Sequence, residues 1–211
     1  MKNVYRKTLG LLLIFTVVFL MSGCYAITNL EKDQPNSNRV LSNHVNLPPA
    51  CLVSITANID GASQNVAQTF PQRVIGRLQE SRMFVNVESI VNGGKKPQEP
   101  YYEITIVSNE IPHHNTFLNG VKGFFVGLSL FILTPVLPLT HQIESELTFK
   151  VVAPNMKFKE YHASQYGSLT CTLYDCKLGW QKLIGDVMEN NIIYIINQMA
   201  QDAWMVENLK M

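Results

Sequence analysis

The chain has 211 residues, with 17 basic and 16 acidic side chains and a formal charge of +1. So even a balance leaves no electrostatic footprint for nucleic acid, and the length allows one sizeable domain or two very small ones, the single domain being the simpler reading. Lys2, Arg6 and Lys7 stand at the extreme N-terminus, so the rest of the chain is weakly acidic.

Behind those three charges an apolar run extends from Leu9 to Met21, interrupted by Gly10 and Thr16 and followed by the small residues Ser22 and Gly23. A positive end, a short apolar core and a small-residue cleavage site are the layout of a secretory signal. With Cys24 directly after it, the stretch Leu20-Met21-Ser22-Gly23-Cys24 resembles the lipobox of a bacterial lipoprotein precursor, Met21 standing where leucine is commoner. That resemblance implies that residues 1–23 are removed, that Cys24 carries diacylglycerol and an acyl chain such as palmitate, and that the mature protein is tethered to a membrane facing the periplasm. Tyr25, rather than aspartate, follows the cysteine, which by the same resemblance implies sorting to the outer membrane. The competing reading is an uncleaved anchor, against which the apolar core is shorter than the ~20 residues a spanning helix needs.

From Tyr25 to about Asn46 the sequence is polar and without sustained period, and residues 24–48 read as a flexible tether. Pro48 and Pro49 open a folded part taken as one domain over residues 49–206. Val53, Ile55, Ala57 and Ile59 alternate with polar residues, which predicts a strand over 51–59. Ala67, Phe70, Val74 and Leu78 recur at helical spacing behind Ser63, with Pro71 marking either a kink or the helix start. A second strand is expected over 84–91, closed by Asn92-Gly93-Gly94, and a third around Tyr102, Ile104 and Ile106.

Residues 117–139 then form an apolar insertion with Lys122 as its one charge and with breaks at Pro135 and Pro138. A helix over about 119–133 is expected, and three roles stay open for it: a membrane span, a core helix packed through Gly123 and Gly127, or an exposed apolar hairpin that meets a membrane or a partner. In the exposed reading the contact residues are Phe117, Phe124, Phe125, Leu128, Leu130 and Phe131. Beyond it, Ile143, Leu147, Phe149 and Val151 alternate cleanly with charged and polar residues, predicting a strand, and a fifth is expected through Phe158, Tyr161 and Ala163. Trp180, Leu183, Ile184, Val187, Met188, Ile192, Ile195 and Met199 trace a stripe that predicts a long helix over 178–204.

The expected class is therefore α+β: a mainly antiparallel five-stranded sheet, two helices packed on one face, and an apolar helical insertion. The layout from Val74 to Val87, with the insertion before the last strands, distantly resembles uncharacterised periplasmic α/β lipoproteins of Gram-negative bacteria, including those of envelope assembly and secretion machines. It transfers no functional residue, and implies a non-enzymatic binding or support role alongside an envelope protein partner.

Chemistry is sparse. Glu110, His113, His114 and His141 bracket the insertion and could share a metal ion if its ends met, against the plainer reading of polar residues beside an apolar hairpin. Cys171, His162 and Asp175 are the residue types of a thiol nucleophile and its base, but Cys171 and Cys176 read equally as a disulfide or as buried thiols alongside Cys51. No phosphate loop, serine elbow or paired-carboxylate pattern is present. Catalytic residues, cofactor and metal are therefore set at none, and an envelope hydrolase or metal-dependent enzyme is the competing class.

Overall fold

The computed structural model describes residues 26–31, 46–58, 64–91, 93–98, 100–114, 116–129, 138–171 and 176–208. The signal, Cys24, Leu130, Phe131 and Asp175 lie outside them. Among the described residues are six strands: β1 Ala26–Glu31, β2 Ala50–Asn58, β3 Val87–Ser89, β4 Tyr102–His114, β5 Leu139–Val152 and β6 Phe158–Cys171. Four helices join them among the described residues: α1 Gln64–Ser81, α2 Thr116–Leu128, α3 Cys176–Gln201 and the short α4 Trp204–Glu207.

All six strands form one sheet in the order β1-β6-β5-β4-β2-β3. The sheet is mixed, with six strands where five were expected: β2 runs parallel to both β3 and β4, while the other three pairings, β4 with β5, β5 with β6 and β6 with β1, are antiparallel as expected of most of the sheet. The cause of the parallel pairs is α1, a helical crossover that returns the chain to the end where β2 began, so the next strands must start alongside it in the same direction. A sixth strand comes from β1, inside the stretch expected to be tether. It pairs with β6 over its whole length, from Ala26↔Cys171 to Glu31↔Tyr166.

One face of the sheet is apolar because alternate residues of β4, β5 and β6 point to it. Ile104, Ile106, Ile143, Leu147, Phe149, Val151, Tyr161, Ala163 and Leu169 are buried there under Phe70, Val74 and Leu78 of α1 and the stripe Leu183, Ile184, Val187, Met188, Ile192, Ile195 and Met199 of α3. The expected two-helix layer is thus present. Gly167 lets α3 come down onto β6, for a methyl group there would meet Leu183 Cδ1 and Val187 Cγ2 at 2.9 Å. The Arg77 guanidinium of α1 reaches Glu189 of α3 and Glu80 of its own helix, which together lock the two helices side by side. Pro71 lies within α1 rather than ahead of it.

Two ends of this sheet are distinct. At one, β5 turns into β6 through Pro154 and Asn155, and α4 is pinned by the Tyr102 hydroxyl, which donates to the Met205 carbonyl at 2.5 Å. Asp202 sits nearby. Burial pushes its carboxyl up, but the Lys159 ammonium, the Trp204 N–H and the Tyr161 hydroxyl outweigh that and hold it below the usual range. At the other end β4 finishes at His114, β5 starts at Leu139 and β6 finishes at Cys171, with α2 standing between the first two.

The apolar end of the sheet

Helix α2 spans Thr116–Leu128 with no proline before Pro135, although Gly120, Gly123 and Gly127 each weaken it. It leaves β4 and returns to β5 next to it, since those strands pair from Glu103↔Val152 to His114↔His141. A single membrane span between them is thereby ruled out, because paired strands cannot lie on opposite sides of a bilayer. At 13 residues the helix is roughly 20 Å long, short of a hydrocarbon core of ~30 Å, and no described helix is long and apolar enough to cross a membrane. Nor is it a core helix. Among the described side chains of α2 none belongs to the buried cluster, and a methyl group on Gly120, Gly123 or Gly127 would meet nothing within 4 Å outside the helix itself.

Instead α2 is inside out. Its half-buried residues Asn119 and Lys122 are polar and one turn apart, so they share a face. That face is turned to the protein: the Asn119 amide donates to the Thr140 carbonyl at 2.9 Å and accepts from the Thr140 N–H, while the Lys122 ammonium donates to the Pro138 carbonyl at 2.8 Å. The start of β5 is thus held by two polar side chains. Phe117, Phe124, Phe125 and Leu128 point away and are 83%, 64%, 51% and 66% exposed, with Phe124 and Phe125 in edge contact at 6.0 Å between centroids. An ordinary surface helix of a soluble domain carries the reverse pattern, and so contiguous an apolar patch in water marks a contact site. Of the six residues expected to make that contact, these four are exposed, and Leu130 and Phe131 fall outside the described residues.

The strand register places further features here. Cys171 pairs with Leu139 on one side and with Ala26 on the other, so the first residue of β1 lies in the same row as the foot of the apolar excursion. Cys24 precedes that residue by two positions. Exposed Leu178, Lys177 and Lys182 and half-buried Trp180 belong to the first turns of α3 at the same end.

Cysteines 171 and 176 are joined as a disulfide with a Cα separation of 5.1 Å, closing the step from β6 into α3. Cys51 is a buried free thiol, its pKa pushed up by burial. The grouping of Cys171, His162 and Asp175 is not assembled: Cys171 is bonded to Cys176, and His162 lies on the open face of the sheet beside Thr148 and Glu160. Glu110, His113, His114 and His141 are not gathered either. His113 pairs with Glu144 at 3.2 Å on the open face, whereas Glu110 is buried on the helix-covered one. His141 is the register partner of His114, and its ring packs edge-on against Trp180 at 5.8 Å, with the disulfide beside it.

Sequence reasoning missed a buried polar row beneath α3. Glu110, Ser145 and Gln165 are register partners on β4, β5 and β6. The Ser145 hydroxyl donates to Glu110 Oε1 at 2.9 Å, the Ser108 hydroxyl donates to the same oxygen at 3.2 Å, and Asn191 of α3 donates to Ser145. Burial pushes the Glu110 carboxyl up to about 7, against the opposing pull of the two serine hydroxyls. A glutamate at an inward position of β4 was the available signal.

No family model matches the chain, and no curated protein matches it. Among solved structures it is similar to the rare lipoprotein B of Shewanella oneidensis, at 10% identity and a TM-score of 0.45, over 74% of this chain and 98% of that one. It is also similar to a putative neuraminyllactose-binding hemagglutinin homolog from Helicobacter pylori, at 9% identity and a TM-score of 0.43, over 83% of this chain and 96% of the other. A third is the PelC dodecamer from Paraburkholderia phytofirmans, at 12% identity and a TM-score of 0.39, over 84% and 99%. With all three scores at 0.45 or lower, these likenesses say nothing of what this chain does.

Proposed function

We propose that the protein is a lipid-anchored envelope protein, carried by acylated Cys24 and seated on the periplasmic face of the outer membrane by helix α2. Its role there is to bind or support another envelope component, without catalysis. The observation that carries this reading is the shared row of Ala26, Cys171 and Leu139: the chain leaves the sheet toward Cys24 at the same end at which α2 presents its phenylalanines. Beside the acyl chains proposed for Cys24, an apolar helix is a second contact that holds the domain itself against the bilayer. Residues Lys177 and Lys182 at that end suit anionic headgroups.

Sedimentation with vesicles of phosphatidylethanolamine and phosphatidylglycerol tests the contact. A chain starting at residue 25 keeps every described element but carries neither signal nor acyl group. It is expected to sediment with the vesicles, and the variant with Phe124→Ser, Phe125→Ser and Leu128→Ser to stay in solution. Equal sedimentation of the two overturns the role given to α2.

A further inference from the structure

We infer that the corner formed by His141, Cys171 and Cys176 becomes, once its disulfide is reduced, a binding site for one zinc-class divalent ion. One ring nitrogen and the two sulfurs all lie within 4.8 Å of one another. That spread suits a tetrahedral ion, which takes sulfur at about 2.3 Å and imidazole nitrogen at about 2.0 to 2.1 Å. A set of two thiolates and an imidazole is borderline soft and selects zinc, cadmium or cobalt over calcium or magnesium.

The three donors stand on three separate elements of the frame. His141 is near the start of β5, Cys171 is the last residue of β6, and Cys176 is the first of α3. Because Leu139 is the register partner of Cys171, His141 lies diagonally across from it, two residues along β5. The edge contact with Trp180 of α3 holds the imidazole toward the sulfurs. Cys171 is buried, whereas Cys176 and His141 are half-buried, so an ion can enter from one side and keep a fourth position for water or an added ligand.

An external dithiol gives two electrons and two protons to the Cys171–Cys176 bond and is itself oxidised to a disulfide. Two thiols result. Entry of the ion displaces both thiol protons into solvent and takes a lone pair from one ring nitrogen of His141. Oxidised and metal-bound forms are therefore mutually exclusive states of one corner.

Cobalt(II) and zinc titrations of the full chain in detergent, before and after reduction by a phosphine, test the proposal. Reduced protein is expected to take up one equivalent of cobalt with sulfur charge-transfer absorption and tetrahedral visible bands, to exchange it for zinc, and to lose reactivity of both thiols toward alkylation. Oxidised protein should show none of this. His141→Ala and the bulkier His141→Gln are expected to weaken binding at least about tenfold while the oxidised fold stays intact by circular dichroism. Buried Cys51 is common to all variants and sets the background. The proposal is overturned if reduced protein binds no cobalt, if both histidine variants bind as tightly as the parent, if oxidised protein binds equally well, or if reduction unfolds the domain.

Discussion

A methionine in the left-handed region is an uncomfortable residue, and Met156 holds φ at 65° in the hairpin between β5 and β6. Pro154 and Asn155 form the turn, Met156 N–H donates to the Ala153 carbonyl at 2.9 Å, and the next residue must curl back for Lys157 to rejoin the ladder. Turns of this kind favour glycine there. Since Met156 is 84% exposed, Met156→Gly loses little packing and should raise stability by about 0.5 to 1 kcal/mol, measured by urea unfolding. Glu110 makes a second prediction. Its folded pKa of about 7 lies above the unfolded value, so the fold favours the neutral acid. Its contribution is fully present below about pH 4.5 and is lost as pH rises to 7, by about 3 kcal/mol in all. Glu110→Gln keeps the shape without the titration. The variant should gain on the parent from pH 5 to about pH 7 in denaturant midpoint and then level off, and a constant difference across that range would refute it. Of the groups facing this carboxyl, Ser108, Ser145 and Asn191 are uncharged.

Among the elements, β5 and α3 were legible because each is buried along one unbroken face, and burial writes itself into the sequence as a period. Other elements were not legible, for identifiable reasons. The second half of β6 was lost because Gln165 and Gly167 interrupt its apolar alternation, the first standing in the buried polar row beside Ser145 and the second admitting α3. β1 was lost because an edge strand is secured largely by backbone pairing with β6, which no side-chain pattern records. Strand direction is equally silent, since parallel and antiparallel strands alternate alike. The apolar insertion was visible at once, but its orientation was not: only the partners of Asn119 and Lys122 reveal which side faces the protein. Two predictions belong here. Replacing residues 117–139 by a short Gly/Ser linker should leave the remaining sheet folded by circular dichroism and more soluble, because none of the described side chains of α2 joins the core. Gly167→Ala, by contrast, should lower stability by about 1 to 3 kcal/mol through overpacking against Leu183 and Val187, read from the thermal midpoint.

At the scale of the whole molecule, the reading of residues 24–48 as a tether gives way in part, because the sheet begins at Ala26. The proposed lipid site is then two residues from the sheet, and anchoring there would hold the domain against the bilayer rather than stand it off. Fractionation of cells should find the protein with outer-membrane markers, and Cys24→Ala should abolish acyl labelling; retained labelling would sink the lipoprotein reading. The geometry of β1 also bears on mechanics. A pull on the chain ahead of Ala26, directed along the strand and away from the sheet, does not peel β1 from β6 one pair at a time. It loads the rungs between Ala26 and Glu31 together, in shear, and the antiparallel partner β6 passes the strain through Cys171 into its bond with α3. A protein fastened at that point resists detachment by sharing the force over a ladder, and a single-molecule stretching experiment would find its rupture force higher for a pull at residue 25 along the strand than for one directed across it.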